Sequence, residues 1–181
     1  MFGSLDWIGA QASADADRFL QLGMDPAKIH VTGSIKFDIS LDAQIREQAA
    51  SLRDSWGAQR PTVIIASTHE GEDGIALDAF QGLRKQHKDA LLLLAPRHPE
   101  RFDAVYGQVG SRGLTVQRRS YAEPLAPETE VLLLDTLGEL LMLFGAADIA
   151  VIGGSFIPNG GHNPLEAAAW GLPLVCGPSM F

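Results

Sequence analysis

The feature that most constrains the fold is the alternation of short apolar runs with longer stretches of helical periodicity. Turn-forming Gly, Pro, Asn and Asp separate the two kinds of segment. Strands that alternate with helices in this way are typical of βα units wound around a mostly parallel sheet. We therefore predict an α/β fold with a doubly wound, mostly parallel sheet and helices on both of its faces.

The predicted elements follow one another along the whole chain. Strands are predicted at residues 5–10, 29–32, 62–66, 91–95, 114–117, 131–134, 149–152 and 174–176. Helices are predicted at residues 13–22, 41–56, 72–87, 99–111, 137–144 and 164–170. The helix over 41–56 has the clearest pattern, because Leu41, Ile45, Ala49 and Leu52 recur at spacings of three and four between charged residues.

Composition excludes several classes of protein. A formal net charge of -8 argues against a nucleic-acid partner, since binding a duplex requires clustered Lys and Arg. Cys176 is the single cysteine, so no internal disulfide can form. The apolar runs are too short to cross a bilayer, and we expect any membrane anchor to lie elsewhere.

Ligands of open α/β sheets bind beyond the carboxyl ends of the strands. The first polar segment at such a place is residues 67–72, where Gly71 would let the backbone approach a ligand and the helix start would favour an anion. The alternative is an ordinary helix cap formed by Ser67 or Thr68.

The second segment is residues 96–102, after the predicted strand 91–95. Arg97 stands between two prolines and is our candidate for an anion anchor, because a guanidinium binds phosphate or carboxylate bidentately. The alternative is a surface arginine paired with Glu100. Arg101 is expected on a solvated helix face.

The third segment, residues 153–166, contains four glycines and leads directly into a helix. Asn163 suits the N-cap, Pro164 the first helical position, and Glu166 a position from which it could reach back to the cap. Capping does not explain the glycines, so we predict a phosphate at this helix start, with Glu166 accepting hydrogen bonds from a ribose.

Other kinds of site lack their sequence signatures. The chain has neither the glycine fingerprint of dinucleotide sites nor a Gly-Lys-Ser/Thr loop. His69, His98 and His162 follow different strands without the close spacing of metal ligands, and no nucleophile motif is present. We expect no metal and no cofactor.

Five segments, in series, resemble the bacterial Kdo (3-deoxy-manno-octulosonate) transferases of lipid A biosynthesis. They are residues 31–38 (VTGSIKFD), 67–72 (STHEGE), 96–102 (PRHPERF), 135–139 (DTLGE) and 160–167 (GGHNPLEA). The resemblance implies a GT-B fold, in which two Rossmann-like domains face each other across a cleft and catalysis needs no metal. Residues 1–38 then resemble a remnant of the acceptor-binding domain with the interdomain segment, and residues 39–181 a donor-binding domain that is incomplete at its C-terminal end.

The resemblance also implies a reaction. Family members transfer Kdo from CMP-Kdo to a lipid A precursor in lipopolysaccharide core biosynthesis, at the cytoplasmic face of the bacterial inner membrane. The catalytic base and the membrane-associating part of the family belong to the N-terminal domain, most of which this sequence lacks. We therefore expect no catalytic residue in this chain, donor binding as its role, and no turnover by the chain alone.

Family contacts to CMP transfer onto three groups of positions. They are Pro96 and Arg97, Leu137, Gly138 and Glu139, and Asn163, Pro164, Leu165 and Glu166. A second tier near the cleft is Lys36, Ser67, His69, Gly71, Gly154, Ser155, Gly161 and His162. The N–H groups near residues 161–165 are expected to stabilise the departing phosphate together with Arg97.

Two alternatives remain open at the level of sequence. Another GT-B enzyme, either a UDP-sugar transferase or an epimerase, would share the glycine-rich loop and the ribose carboxylate. A non-catalytic α/β module that binds a partner protein would bind no nucleotide.

Overall fold

The computed structural model describes residues 4–180, which form two compact units: one ends at Ile39 and the other begins at Ser40. The first unit contains β1 (Ile8–Ala10), α1 (Ser13–Gln21) and β2 (Ile29–Val31), and its two strands pair in parallel. Short 3-10 turns at Pro26–Lys28 and Ile35–Phe37 follow α1 and β2. All three predicted elements are present, although β1 is shorter than predicted.

The second unit contains the other strands and helices. They are α2 (Ala43–Trp56), β3 (Thr62–Thr68), α3 (Glu72–Arg84), β4 (Leu91–Pro96), α4 (Phe102–Ser111), β5 (Val116–Arg118), β6 (Val131–Leu133), α5 (Leu140–Phe144), β7 (Ile149–Ile152), α6 (Leu165–Ala169) and β8 (Leu174–Cys176). The six strands form one parallel sheet in the order β5-β6-β4-β3-β7-β8. The predicted α/β fold with a doubly wound parallel sheet is confirmed.

Alternation along β4 divides the core into two layers. Leu91 and Leu93 face one layer and Leu92 and Leu94 the other, and all four side chains are fully buried. Residues of α2, α5 and α6 complete the first layer, and residues of α3 and α4 complete the second. Because burial of each leucine stabilises the fold by about 1.5 to 3 kcal/mol, this strand is a main contributor to stability.

Local interactions adjust the helix bounds. Asp42 caps α2 by accepting a hydrogen bond from Ile45 N at 2.8 Å, so the helix begins two residues later than the apolar pattern predicts. α5 begins at Leu140 rather than at 137, because Gly138 has a φ of 84° that a helix cannot contain. Within residues 4–180, no helix has both the length and the apolar character required to cross a membrane.

The strand order reverses beside β3, with β4 on one side of it and β7 on the other. A crevice forms at the carboxyl ends of the strands where such a reversal occurs, because the two following connections leave in opposite directions. The segments that follow β3, β4 and β7 therefore surround the place where this sheet would bind a ligand.

Candidate functional site

The loop after β3 and the loop after β7 touch each other across this switch point. We call residues 67–71 the β3 loop and residues 153–164 the glycine loop. Gly153 N donates to Ala66 O at 2.7 Å, and a Cβ at Gly153 would collide with the carbonyl oxygen of Ser67. Ser67 itself has a φ of 62°, which is uncommon for a residue with a side chain. Gly153 is thus required by contact between two backbones.

Glu72, the first residue of α3, joins the two loops. Its Oε2 accepts hydrogen bonds from His69 N at 2.9 Å and from Gly154 N at 2.7 Å, and its Oε1 accepts one from Phe156 N at 3.0 Å. Only 3% of Glu72 is exposed, and these amides replace the water that a buried carboxylate loses. The bond from His69 N joins residues three apart in the chain, but nothing in the sequence indicates the two bonds to the glycine loop.

Two histidines meet where the loops join. His69 Nε2 lies 2.6 Å from His162 Nε2, and Asn159 Nδ2 lies 3.2 Å from the same atom of His69. Since the amide of Asn159 can only donate through its nitrogen, we assign His69 Nε2 as the acceptor and His162 Nε2–H as the donor of the contact. His98 packs edge-on against His69, with ring centroids 5.3 Å apart.

The pKa of both histidines of this pair is lowered from the ordinary value of an imidazole. Burial is the main cause that lowers the pKa of His69, and the nearby His98 lowers it further. Burial also lowers the pKa of His162, assisted by His69 and then by the positive charge of Arg97. A contact between two imidazole nitrogens needs a single proton between them, so this geometry does not accommodate two charged rings.

Arg97 directly follows β4, and its backbone N donates to Thr68 O at 2.9 Å. The other nine of the chain's ten arginines each place the side chain in a hydrogen bond or an ion pair. The exposed side chain of Arg97 has no partner among residues 4–180. The alternative pairing with Glu100 is not formed, and Glu100 lies 4.0 Å from His98 instead.

The prediction that Arg101 lies on a solvated face is wrong. Its guanidinium forms an ion pair with Asp73, whose side chain is 3% exposed, and donates to Thr68 O at 2.8 Å. The Thr68 hydroxyl donates to Asp73 Oδ1 at 2.6 Å. Arg101 is thereby drawn inward by a buried carboxylate, because that charge is stabilised only by a partner.

At the start of α3, where the sequence left open an anion site or an ordinary cap, the helix end interacts with groups of the protein. The N-cap is Gly71, which offers no side-chain cap, rather than Ser67 or Thr68. Glu72 and Asp73 place two buried carboxylates in the first turn, where they already interact with the positive end of the helix. A further anion would be repelled there.

Two of the three predicted donor-binding groups come together. Pro96 and Arg97 line one cleft with Leu137 and Gly138, and Ser67 also contributes to it. Leu137 is 78% exposed at the edge of this cleft. The structure therefore places these predicted residues, from three separate loops, around one depression.

Glu139 is already hydrogen-bonded within the protein. It accepts from Arg119 Nη2 at 2.8 Å and Nε at 3.2 Å, and also from the Thr136 hydroxyl. The hydrogen bond from Arg119 is the main cause that lowers the pKa of Glu139, so the carboxylate stays charged. It faces a second depression between α2 and α5, which Gly138 also lines.

The predicted phosphate cradle in the glycine loop is wrong for most of its amides. Gly161 N donates to Gly154 O at 2.9 Å, His162 N to Gly153 O at 3.1 Å, and Leu165 N to Asn163 Oδ1 at 3.0 Å. Pro164 has no N–H. Because the loop must satisfy its own backbone groups, these amides are not free to hold a phosphate.

Glu166 does not form the predicted capping box. Its half-buried carboxylate has no hydrogen-bond partner in the described part of the chain, so its oxygens are available to a ligand. Within that part, residues 163–166 do not line the cleft beside Arg97.

The remaining second-tier residues either form hydrogen bonds that stabilise the glycine loop or lie in the first unit. Ser155 is fully buried, and its hydroxyl donates to Ile152 O and accepts from Gly177 N at 2.8 Å, so it supports the loop from within. Gly154 N is bound to Glu72. Lys36 is exposed in the 3-10 turn of the first unit.

Comparison with known proteins identifies relatives of both units. A family model described as 3-deoxy-D-manno-octulosonic-acid transferase (kdotransferase) matches residues 1–39. The 3-deoxy-D-manno-octulosonic acid transferase of Haemophilus influenzae is 39% identical over 100% of this chain, and that of Bordetella pertussis is 42% identical over 98%. The chain spans 42% and 41% of the lengths of these two relatives.

Solved structures agree with this similarity. The C-terminal CMP-Kdo binding domain of WaaA from Acinetobacter baumannii superposes with a TM-score of 0.73 at 35% identity, covering 77% of this chain and 74% of that domain. Anabaena Alr3699/HepE in complex with UDP-glucose matches 96% of this chain and 46% of its own, with a TM-score of 0.50 at 18% identity, which shows a shared fold alone. The second unit thus has the Rossmann-like architecture of a GT-B domain.

Proposed function

The chain belongs to the family of 3-deoxy-D-manno-octulosonic acid (Kdo) transferases, and from this premise we propose that its second unit binds the donor CMP-Kdo. The observation that carries the proposal is the position of Arg97. It is an unpaired cation on the rim of a cleft at the switch point of the sheet. The 35% identity to a solved CMP-Kdo binding domain supports the choice of ligand.

Arg97 would act electrostatically. When CMP leaves the sugar, negative charge grows on its phosphate, and a guanidinium placed beforehand at that position stabilises the charge without reorganisation. The pKa of His69 and His162 nearby is lowered, so these rings would contribute hydrogen bonds rather than charge. A phosphate bound here would therefore depend mainly on one positively charged side chain.

Recognition of the nucleoside would use the carboxylates. The free oxygens of Glu166 can accept hydrogen bonds from ribose hydroxyls. Arg119 lowers the pKa of the Glu139 carboxylate, and Glu139 would line the nucleotide pocket with the backbone of Leu137 and Gly138. The predicted roles of Glu166 and Glu139 are compatible with the positions of these residues in the structure.

For the whole protein we propose the family reaction: inverting transfer of Kdo to a lipid A precursor in lipopolysaccharide biosynthesis, at the cytoplasmic face of the bacterial inner membrane. The acceptor hydroxyl would be deprotonated by a base in the acceptor-binding domain and attack the anomeric carbon as CMP departs. The lipid acceptor and the membrane would be contacted by that domain, and no metal would take part.

Calorimetric titration of the chain with CMP, with UMP as the comparison ligand, tests the donor proposal. We expect saturable binding of CMP that is at least tenfold tighter than binding of UMP. Circular dichroism on the same sample establishes that the chain is folded. Equal affinity for UMP would favour the UDP-sugar alternative, and a folded chain that binds neither nucleotide would contradict the proposal.

A further inference from the structure

The two acidic residues at the start of α3 have different partners. Asp73 binds Arg101, which lies in the segment after β4, and the hydroxyl of Thr68, which lies at the end of β3. Glu72 instead accepts two hydrogen bonds from amides of the glycine loop, and among residues 4–180 it forms no ion pair. Neighbouring carboxylates of similar burial therefore bind different segments, and only Glu72 binds the glycine loop.

A single oxygen of Glu72 reaches both loops. Oε2 accepts from His69 N and from Gly154 N, so the backbones of these two residues are held on either side of one atom. The backbone around His162 is bonded to Gly153 and Gly154, beside the amide that Glu72 binds. His162 N donates to Gly153 O, and Gly161 N donates to Gly154 O. Glu72 Oε2 thus connects the two loop backbones that carry the imidazoles in contact at 2.6 Å.

We propose that Glu72 is a positioning residue of the donor site, whose carboxylate holds the β3 loop and the glycine loop at the separation that pairs His69 with His162. Glu72 does not touch the ligand. It acts through the loops that flank Arg97, since Arg97 N is bonded to Thr68 O at the end of β3. The link to donor binding rests on the proposed function, whereas the pairing of the histidines does not.

Glu72→Gln tests the proposal with almost no change of shape. The carboxamide has one acceptor oxygen and no charge, and its NH₂ group faces a backbone N–H. It keeps either the two bonds from His69 N and Gly154 N or the single bond from Phe156 N, and the bonds that remain are weaker. We expect about a tenfold loss of CMP affinity, on the scale of one charge-assisted hydrogen bond. In ¹⁵N NMR of the imidazoles, we expect the distinct tautomers of His69 and His162 to be lost.

Asp73→Asn is the matched control, because it neutralises the adjacent buried carboxylate and leaves the glycine loop bonded. It should lower the unfolding temperature but keep both histidine tautomers and leave CMP affinity within about twofold. If Glu72→Gln and Glu72→Asp both fold and keep the paired imidazole signals, the proposal is overturned, whatever happens to their stability.

Glu72→Asp keeps the test decisive if the glutamine variant does not fold. The shorter side chain retains the charge but cannot reach both loops, so the same loss of the paired signals is expected. In that case, an aspartate variant with wild-type signals would overturn the proposal. If the unmodified chain binds no CMP, the donor proposal fails, and the imidazole signals still decide the role of Glu72.

Discussion

The two ends of the central sheet use arginine differently. At the amino end, Arg53 Nη2 binds Asp148 Oδ1 at 2.9 Å, and Asp148 Oδ2 accepts from Thr62 N at 2.7 Å, which joins α2 to the starts of β3 and β7. At the carboxyl end, the exposed side chain of Arg97 has no partner in the part of the chain that the structure describes. Arg53 thus bonds to groups of the protein, whereas the side chain of Arg97 is exposed to solvent.

This difference separates stability from binding. A paired arginine that also satisfies backbone groups contributes to the free energy of unfolding, because its removal leaves buried donors or acceptors unmet. An unpaired arginine on a cleft contributes little to folding but can form a charge-assisted hydrogen bond with a ligand. Substitutions at the two ends should therefore change different measured quantities.

Arg97→Ala should have the largest effect, and on binding only. We expect CMP affinity to weaken by about 1.5 to 3 kcal/mol, the scale of a hydrogen bond to a charged group. Chemical unfolding should match that of the unmodified chain. Calorimetric titration and a urea melt measure the two quantities, and unchanged affinity would remove Arg97 from the site.

Asp148→Ala should have the opposite profile. The amide of Thr62, a residue 1% exposed, loses its acceptor, which costs about 1 to 2 kcal/mol of unfolding free energy. The Asp148 side chain is 52% exposed, so screening keeps the contribution of the ion pair small. CMP affinity measured below the melting temperature should not change, and a loss of affinity in a folded sample would break the comparison.

Lowering the pH should decrease the free energy of unfolding through the two histidines at the carboxyl end of the sheet. We expect this change to be smaller than the effects of Arg97→Ala and Asp148→Ala. Folding lowers the pKa of His69 and His162 below the ordinary value of about 6.5, so the unfolded chain binds more protons as the pH falls below that value. The stability from the neutral pair is complete above the unfolded pKa and is lost as the pH falls through the folded values.

Urea melts between pH 8 and pH 5 measure this effect, and unfolding free energy should rise with pH across the lower part of the range. His162→Gln removes one of the titrating rings and should flatten the dependence. If the unfolding free energy of this variant depends on pH as strongly as that of the unmodified chain, the dependence arises from other groups.

Arg18→Ala provides the smallest expected change. Arg18 pairs with Asp15 on α1 of the first unit, at 2.9 Å, and its side chain is 74% exposed. Surface pairs at this spacing are worth at most about 0.5 kcal/mol, so both unfolding and CMP affinity should stay near those of the unmodified chain. A large loss of CMP affinity here would mean that removing any arginine weakens binding, which would undermine the interpretation of Arg97.

Most of the fold was predictable because its signals are local. The apolar run of β4 and the helical spacing in α2 each identify an element without knowledge of its neighbours. The errors are at the ends, where one side chain such as Asp42, or one backbone angle such as that of Gly138, decides the bound. These choices depend on a few tenths to about 1 kcal/mol, which periodicity does not reveal.

The sequence predicted which loops surround the switch point of the sheet, but only part of the hydrogen bonding within them. Arg97 was identified from its place after a strand, and its lack of a partner agrees with an anchor role. The glycine loop was also identified, but its amides donate to groups of the protein, among them carbonyls of the loop, Asn163 and Glu72. Glu72 was missed as a link between loops, because the residues that it joins are 82 and 84 positions away along the chain.

The sequence by itself determined which strands and helices form, which faces of them are apolar, and which segments emerge at the carboxyl ends of the strands. The tertiary structure decided which charges are satisfied: Arg101 and Glu72 bind other groups of residues 4–180, whereas the side chains of Arg97 and Glu166 have no partner there. The physical reason is that periodic burial depends on near neighbours along the chain. The pairing of a buried charge depends on groups that only the folded sheet brings within hydrogen-bonding distance.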